Sequence, residues 1–80
     1  MYYVYLLRSI TNPDKTYIGF TSNLRQRLES HNSGNAFHTV EFRPWHLVTY
    51  TAFDNKAKAM EFQKYLKIGS GHSFARRHFW

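Results

Sequence analysis

At 80 residues the chain has length for one small domain, residues 1–80, with a marginal core that its 19% aromatic content fills efficiently. It has no cysteine, which excludes disulfide frameworks and thiolate metal sites, and no apolar run of membrane-spanning length or signal-like N-terminus, so a soluble cytoplasmic protein with no membrane partner is expected. A formal net charge of +6 favours polyanionic partners, nucleic acid first.

The elements read as β-β-α-β-α followed by a short basic tail. Tyr2 to Arg8 is a strand, Thr11-Asn12-Pro13-Asp14-Lys15 a cluster of turn formers, and Thr16 to Phe20 a second strand. The resulting antiparallel hairpin brings Tyr5 and Tyr17 onto neighbouring strands, where two phenols can face one spot. Thr21 or Ser22 is the expected N-cap of a helix from Asn23 to Asn32, closed by Gly34. Asn35 to Pro44 shows no period and reads as an exposed loop. Trp45 to Phe53 is β-branched and aromatic, hence a third strand. Asp54 is the expected cap of a second helix through Lys67, ended by Gly69. Ser70 to Trp80 is a basic, aromatic tail with one or two helical turns. The fold class is α+β, a three-stranded antiparallel sheet flanked by helices.

On the first helix, placing Leu24 at 0° puts Leu28 at about 40°, His31 at about −20° and Arg27 at about −60°. Leu24 and Leu28 therefore anchor the helix, while Arg27 and His31 sit one turn apart at the edge of the buried face. An arginine in that position suits a phosphate, because its planar fork binds two oxygens. A snorkelling arginine and a satisfied core histidine are the structural alternative for the pair.

The triplets Tyr3-Val4-Tyr5 and Tyr17-Ile18-Gly19, the segment Asn23-Leu24-Arg25-Gln26-Arg27-Leu28 and the pair His31-Asn32 together resemble the GIY-YIG nuclease superfamily. Arg43-Pro44-Trp45-His46-Leu47-Val48 and Lys64-Tyr65-Leu66-Lys67-Ile68-Gly69-Ser70-Gly71 are similar to segments of its small bacterial branch, related to the N-terminal domain of the excision-repair nuclease C subunit. The resemblance implies metal-dependent hydrolysis of DNA phosphodiesters. It implies that Tyr5 or Tyr17 helps deprotonate the attacking water, that Arg27 stabilises the pentavalent phosphate, and that His31 bonds a tyrosine or relays a proton. It also implies one divalent ion, Mg²⁺ or Mn²⁺, held by a glutamate on the second helix. A free tyrosine, with a pKa of about 10, is ionised only to about one part in a thousand at neutral pH. It serves as a base only where a cation, metal or histidine lowers that value.

Two positions depart from the pattern. Phe20 stands where many relatives carry lysine. More consequentially, Gln63 stands where the metal-binding glutamate is expected. Glu61 does not replace it: with Ala57 at 0°, the buried face of Ala59, Phe62 and Leu66 centres on about 180°, Gln63 lies at about 240° and Glu61 at about 40°. Hard divalent ions prefer charged oxygens. A catalytically disabled form is therefore expected, whether by natural divergence or by an introduced substitution, and the alternative is a non-cleaving nucleic-acid-binding protein that keeps the nuclease fold.

On the substrate side, Arg25, Arg43, Lys64, Lys67 and Arg76 supply cations, and Phe37, His38 and His72 flat faces among them. Trp45 and Phe74 serve either as such faces or as core. Cations interleaved with rings suit unpaired strands, so single-stranded DNA is the expected partner. A monomer or weak homodimer is expected.

Overall fold

The computed structural model describes residues 1–80. Its elements are β1 (Tyr2–Ser9), β2 (Thr16–Thr21), α1 (Leu24–Ser33), a single 3₁₀ turn (Val40–Phe42), β3 (Trp45–Phe53), α2 (Lys56–Lys67) and α3 (Gly69–His78). The strands form one antiparallel sheet in the order β2-β1-β3. β1 is central, and Val4, Tyr5, Leu6 and Leu7 are all fully buried. Because successive side chains of a strand point to opposite faces, this run feeds two layers.

Val4 and Leu6 pack with Ala59, Leu66 and Ala75 beneath α2 and α3. Tyr5 and Leu7 pack with Trp45 on the other face, bordered by Leu24 and Leu28 of α1. A register shift between Leu6 and Leu7 makes Leu6 face Thr49 and Leu7 face Leu47. It sends Val48 to the first layer and Leu47 to the second. No helix is long and apolar enough to cross a membrane.

The strand expectations hold to within a residue, and several boundaries move. Asn23, not Thr21 or Ser22, caps α1, its side chain accepting from the Gln26 N–H at 3.1 Å. Thr21 instead braces Asn23 by accepting from its backbone N–H at 3.1 Å. Asn55, not Asp54, caps α2 in the same way, accepting from the Lys58 N–H at 3.0 Å. In both helices the cap residue satisfies the N–H three positions on, one of the donors a helix start leaves free. Gly34 does end α1, in the left-handed conformation (φ 89°) that favours glycine.

Gly69 opens α3 rather than merely ending α2, and the basic tail is a full ten-residue helix. Ala75 buries against Leu66, and Phe79 and Trp80 border the same layer, so tertiary contact rather than propensity makes this helix. The segment from Asn35 to Pro44 is not simply an exposed loop. It contains the 3₁₀ turn and the buried Thr39.

Candidate active site

Tyr5 and Tyr17 reach one place because of their register. Tyr5 faces Gly19 across the β1–β2 ladder, and Leu7 faces Tyr17. The Tyr5 ring lies over Gly19: a Cβ there would fall 2.3 Å from the phenol carbon and oxygen. Glycine is therefore required at position 19 by the close approach of the phenol, which can then extend across β2 beneath α1. The two tyrosine rings lie 6.3 Å apart between centroids.

Helix α1 delivers the other two groups. His31 is 1% exposed, the only buried residue of α1, while Leu24 and Leu28 are half-buried. His31 is thus the deepest point of the helix rather than the edge of its buried face. Its Nε2 lies 2.8 Å from the Tyr5 hydroxyl and its Nδ1 2.6 Å from the Thr39 hydroxyl. Its ring lies 5.1 Å from that of Tyr17. Arg27 Nε–H donates to the Tyr5 hydroxyl at 3.3 Å.

A consistent proton assignment follows from the partners. Thr39 donates to the Ala36 carbonyl at 3.4 Å, so its oxygen accepts from His31 Nδ1–H. His31 Nε2 is then an acceptor, and the Tyr5 hydroxyl donates its hydrogen bond to it. The chain runs Arg27 to Tyr5 to His31 to Thr39, and no buried side-chain polar atom is left unpaired.

Burial fixes the charge states. It pulls the His31 pKa down to about 4, with the Arg27 cation adding to the effect, so the imidazole is neutral near pH 7. Burial also raises the Tyr5 pKa, against an opposing hydrogen bond from Arg27. Arg27, bonded to Tyr5, is held above its already high value and stays cationic. Tyr5 therefore keeps its proton. Tyr17 is only partly buried and opens on a cleft of about 290 Å³ that it shares with Lys67, His72 and Trp80.

Thr39 was hidden from sequence reasoning, because nothing in an aperiodic segment marks it. It orients His31, and its carbonyl accepts from Trp45 Nε1–H at 2.8 Å. Trp45 is consequently core, 7% exposed, rather than a platform for bases. Asn32 clamps the end of α1 to the start of β3, accepting from the Trp45 N–H and donating to its carbonyl at 3.2 Å.

Gln63 is half-buried, on the shoulder of the α2 face, and Glu61 is exposed. The Gln63 amide nitrogen donates to the Ile18 carbonyl at 3.4 Å, beside Tyr17 in the chain. The site's donor set is thus one neutral amide and phenols. No cluster of three or more histidine or acidic side chains is placed to hold a metal. These residues do not fit a tightly held hard divalent ion, which takes anionic oxygen ligands.

The predicted cationic and aromatic residues fall in separate places. Lys67 and His72 join Tyr17 in its cleft. Arg25 lines a different cleft beside α1. Arg43 donates to the Ser33 carbonyl at 3.0 Å, closing the C-terminal end of α1. Phe37 is 86% exposed, edge-on to His38, and Lys64 and Arg76 are exposed on α2 and α3. Phe74 is half-buried among Tyr65, His78 and Phe79.

Residues 1–73 match the GIY-YIG catalytic domain. A UPF0213 protein of Clostridium perfringens is 37% identical over 68 residues, covering 84% of this chain and 71% of that protein. The structure-specific endonuclease subunit SLX1 of Debaryomyces hansenii is 38% identical over 84 residues, covering 96% of this chain. The chain spans only 23% of that SLX1 subunit. The solution structure of the UPF0213 protein BH0048 from Bacillus halodurans superposes with a TM-score of 0.57 at 27% identity, covering 99% of this chain and 87% of that one. The match over residues 1–73 carries the assignment: the chain belongs to the GIY-YIG nuclease family.

Proposed function

We propose that this chain is a DNA phosphodiesterase domain that grips a backbone phosphate beside Tyr17, and that Gln63 leaves its hydrolysis weak. The observation that carries this reading is the bond from Arg27 Nε to the Tyr5 hydroxyl. It fixes the guanidinium at Nε, beside Tyr17, and leaves terminal N–H groups to take phosphate oxygens. Tyr5, deep and protonated, acts with His31 as a positioning pair. Tyr17, partly open to solvent, is the phenol that meets water and substrate. Single-stranded or branched DNA fits best: Lys67 and His72 extend the Tyr17 cleft, and the SLX1 relatives carry the name structure-specific endonuclease.

A non-cleaving DNA binder is the second reading, favoured by the neutral amide at position 63. Both readings require salt-sensitive binding of short oligonucleotides, lost in Arg27→Ala. They part at one substitution. Gln63→Glu supplies the missing anionic oxygen and is expected to raise cleavage in Mg²⁺ or Mn²⁺ by at least about tenfold over the parent chain, while Glu61→Gln changes nothing. Cleavage that does not rise in Gln63→Glu, with binding intact, leaves the binder reading.

A further inference from the structure

Helix α1 has a second flank. With Leu24 again at 0°, Arg25 and Glu29 lie at about 100° and 140°, on the far side of the half-buried leucines from Arg27. There the helix and the sheet enclose a cleft of about 460 Å³ lined by Tyr3, Leu24, Arg25, Leu28, Glu29 and Tyr50. That size lies within the roughly 300–1,000 Å³ typical of small-ligand sites. Its floor is aromatic: Tyr3 meets Tyr50 edge-on, with centroids 5.9 Å apart at 65°. Tyr50 is 50% exposed, so part of its ring remains free to receive another ring.

The cleft lies across α1 from the proposed phosphate site, within the span of one or two nucleotides, since a helix is about 10–12 Å across. Tyr50 is the register partner of Tyr5 on β3, one strand spacing away, about 4.8 Å. α1 forms the wall between them, with Arg27 on one flank and Arg25 on the other.

We infer that this cleft holds an unpaired base of the DNA strand whose phosphate sits at Arg27, stacked on Tyr50; the inference rests on the proposed phosphate site. The lining carries one cation and one anion beside two rings, which suits a base better than a second phosphate: the rings offer a stacking face, and Glu29 accepts from an exocyclic amine such as that of cytosine. Arg25, on the same lining and exposed, complements the strand's backbone charge. The niche therefore favours DNA with an unstacked nucleotide one or two positions from the contacted phosphate.

The test is a binding cycle between the ring and the base. Affinity is measured for a short single-stranded oligonucleotide and for versions with one abasic site moved along it, using the parent chain and Tyr50→Ala. The expected result is that one abasic position and the Tyr50→Ala change each weaken binding by about 5- to 100-fold, and that together they cost no more than either alone. Tyr50→Phe should restore both the affinity and the abasic effect. Unchanged affinity in Tyr50→Ala, with Arg27→Ala still disrupting binding, overturns the inference and leaves the phosphate site standing. Additive losses at every abasic position overturn it too, and self-association that depends on Tyr50 assigns the cleft to a second copy. Should Tyr50→Ala not fold, Tyr50→Leu, which keeps apolar volume but removes the ring face, repeats the cycle. Absence of binding by the parent chain overturns the phosphate site and this inference together.

Discussion

Two faces of one sheet do different work from the same strand. On the α2/α3 side, Val4 and Leu6 of β1 meet Ala59, Leu66 and Ala75, an all-apolar layer. On the α1 side, Tyr5 and Leu7 share their layer with Trp45, and the three buried polar side chains, Ser9, His31 and Thr39, accompany them. The contrast teaches how an 80-residue chain carries chemistry. A polar network is costly to bury unless it is fully paired, and here every buried member is paired. The apolar layer supplies the stability that lets the other face hold a buried histidine.

The largest expected separation of the two faces comes from a cavity in the apolar layer. Leu6→Ala makes that cavity away from the Tyr17 cleft, which Leu66 itself lines: removing the fully buried Leu6 side chain should cost about 2–5 kcal/mol in urea unfolding, yet leave oligonucleotide affinity unchanged in the fraction that stays folded. A matching loss of affinity would mean that the faces are not independent.

Acid should act on the α1 side. The folded chain holds His31 near pKa 4 against about 6.5 when unfolded, so the fold prefers the neutral ring. The preference is fully present above about pH 6.5. As pH falls towards 4, the unfolded chain takes up a proton that the folded chain does not, and about 3 kcal/mol of stability is lost. Unfolding measured from pH 7 to pH 4 should show this slope, and His31→Gln should flatten it. An equal slope in both chains would place the titration elsewhere.

The smallest of these effects belongs to Tyr5→Phe. It keeps the ring over Gly19 but strips the hydroxyl shared by His31 and Arg27. Loss of stability of about 1–3 kcal/mol is expected, with a larger proportional loss of oligonucleotide affinity than in Leu6→Ala. A variant as tight-binding as the parent would show that Arg27 does not need Tyr5 to hold it in place.

The sheet was legible because its cues are local. Turn chemistry places β1 and β2, β-branched and aromatic content places β3, and the spacing of Tyr5, Tyr17, Arg27 and His31 along two strands and one helix makes their convergence readable. Helical angles also placed Gln63 on the α2 shoulder and Glu61 in solvent. What escaped was tertiary. α3 gains its helix from packing that no period of the tail reveals, and Thr39 matters only because α1 and Trp45 close around it. The depth of His31 was understated because angles on one helix do not tell how closely the sheet approaches; only the missing Cβ of Gly19 lets Tyr5 meet it. Arg43, read as a nucleic-acid contact, spends one donor on the Ser33 carbonyl.

A crystal structure with a bound single-stranded oligonucleotide tests the central claim most directly. One backbone phosphate should lie within hydrogen-bonding distance of the terminal nitrogens of Arg27 and of the Tyr17 hydroxyl, with the Gln63 side chain at its border. A strand that runs across α2 and α3 and leaves Arg27 and Tyr17 without a phosphate would contradict it.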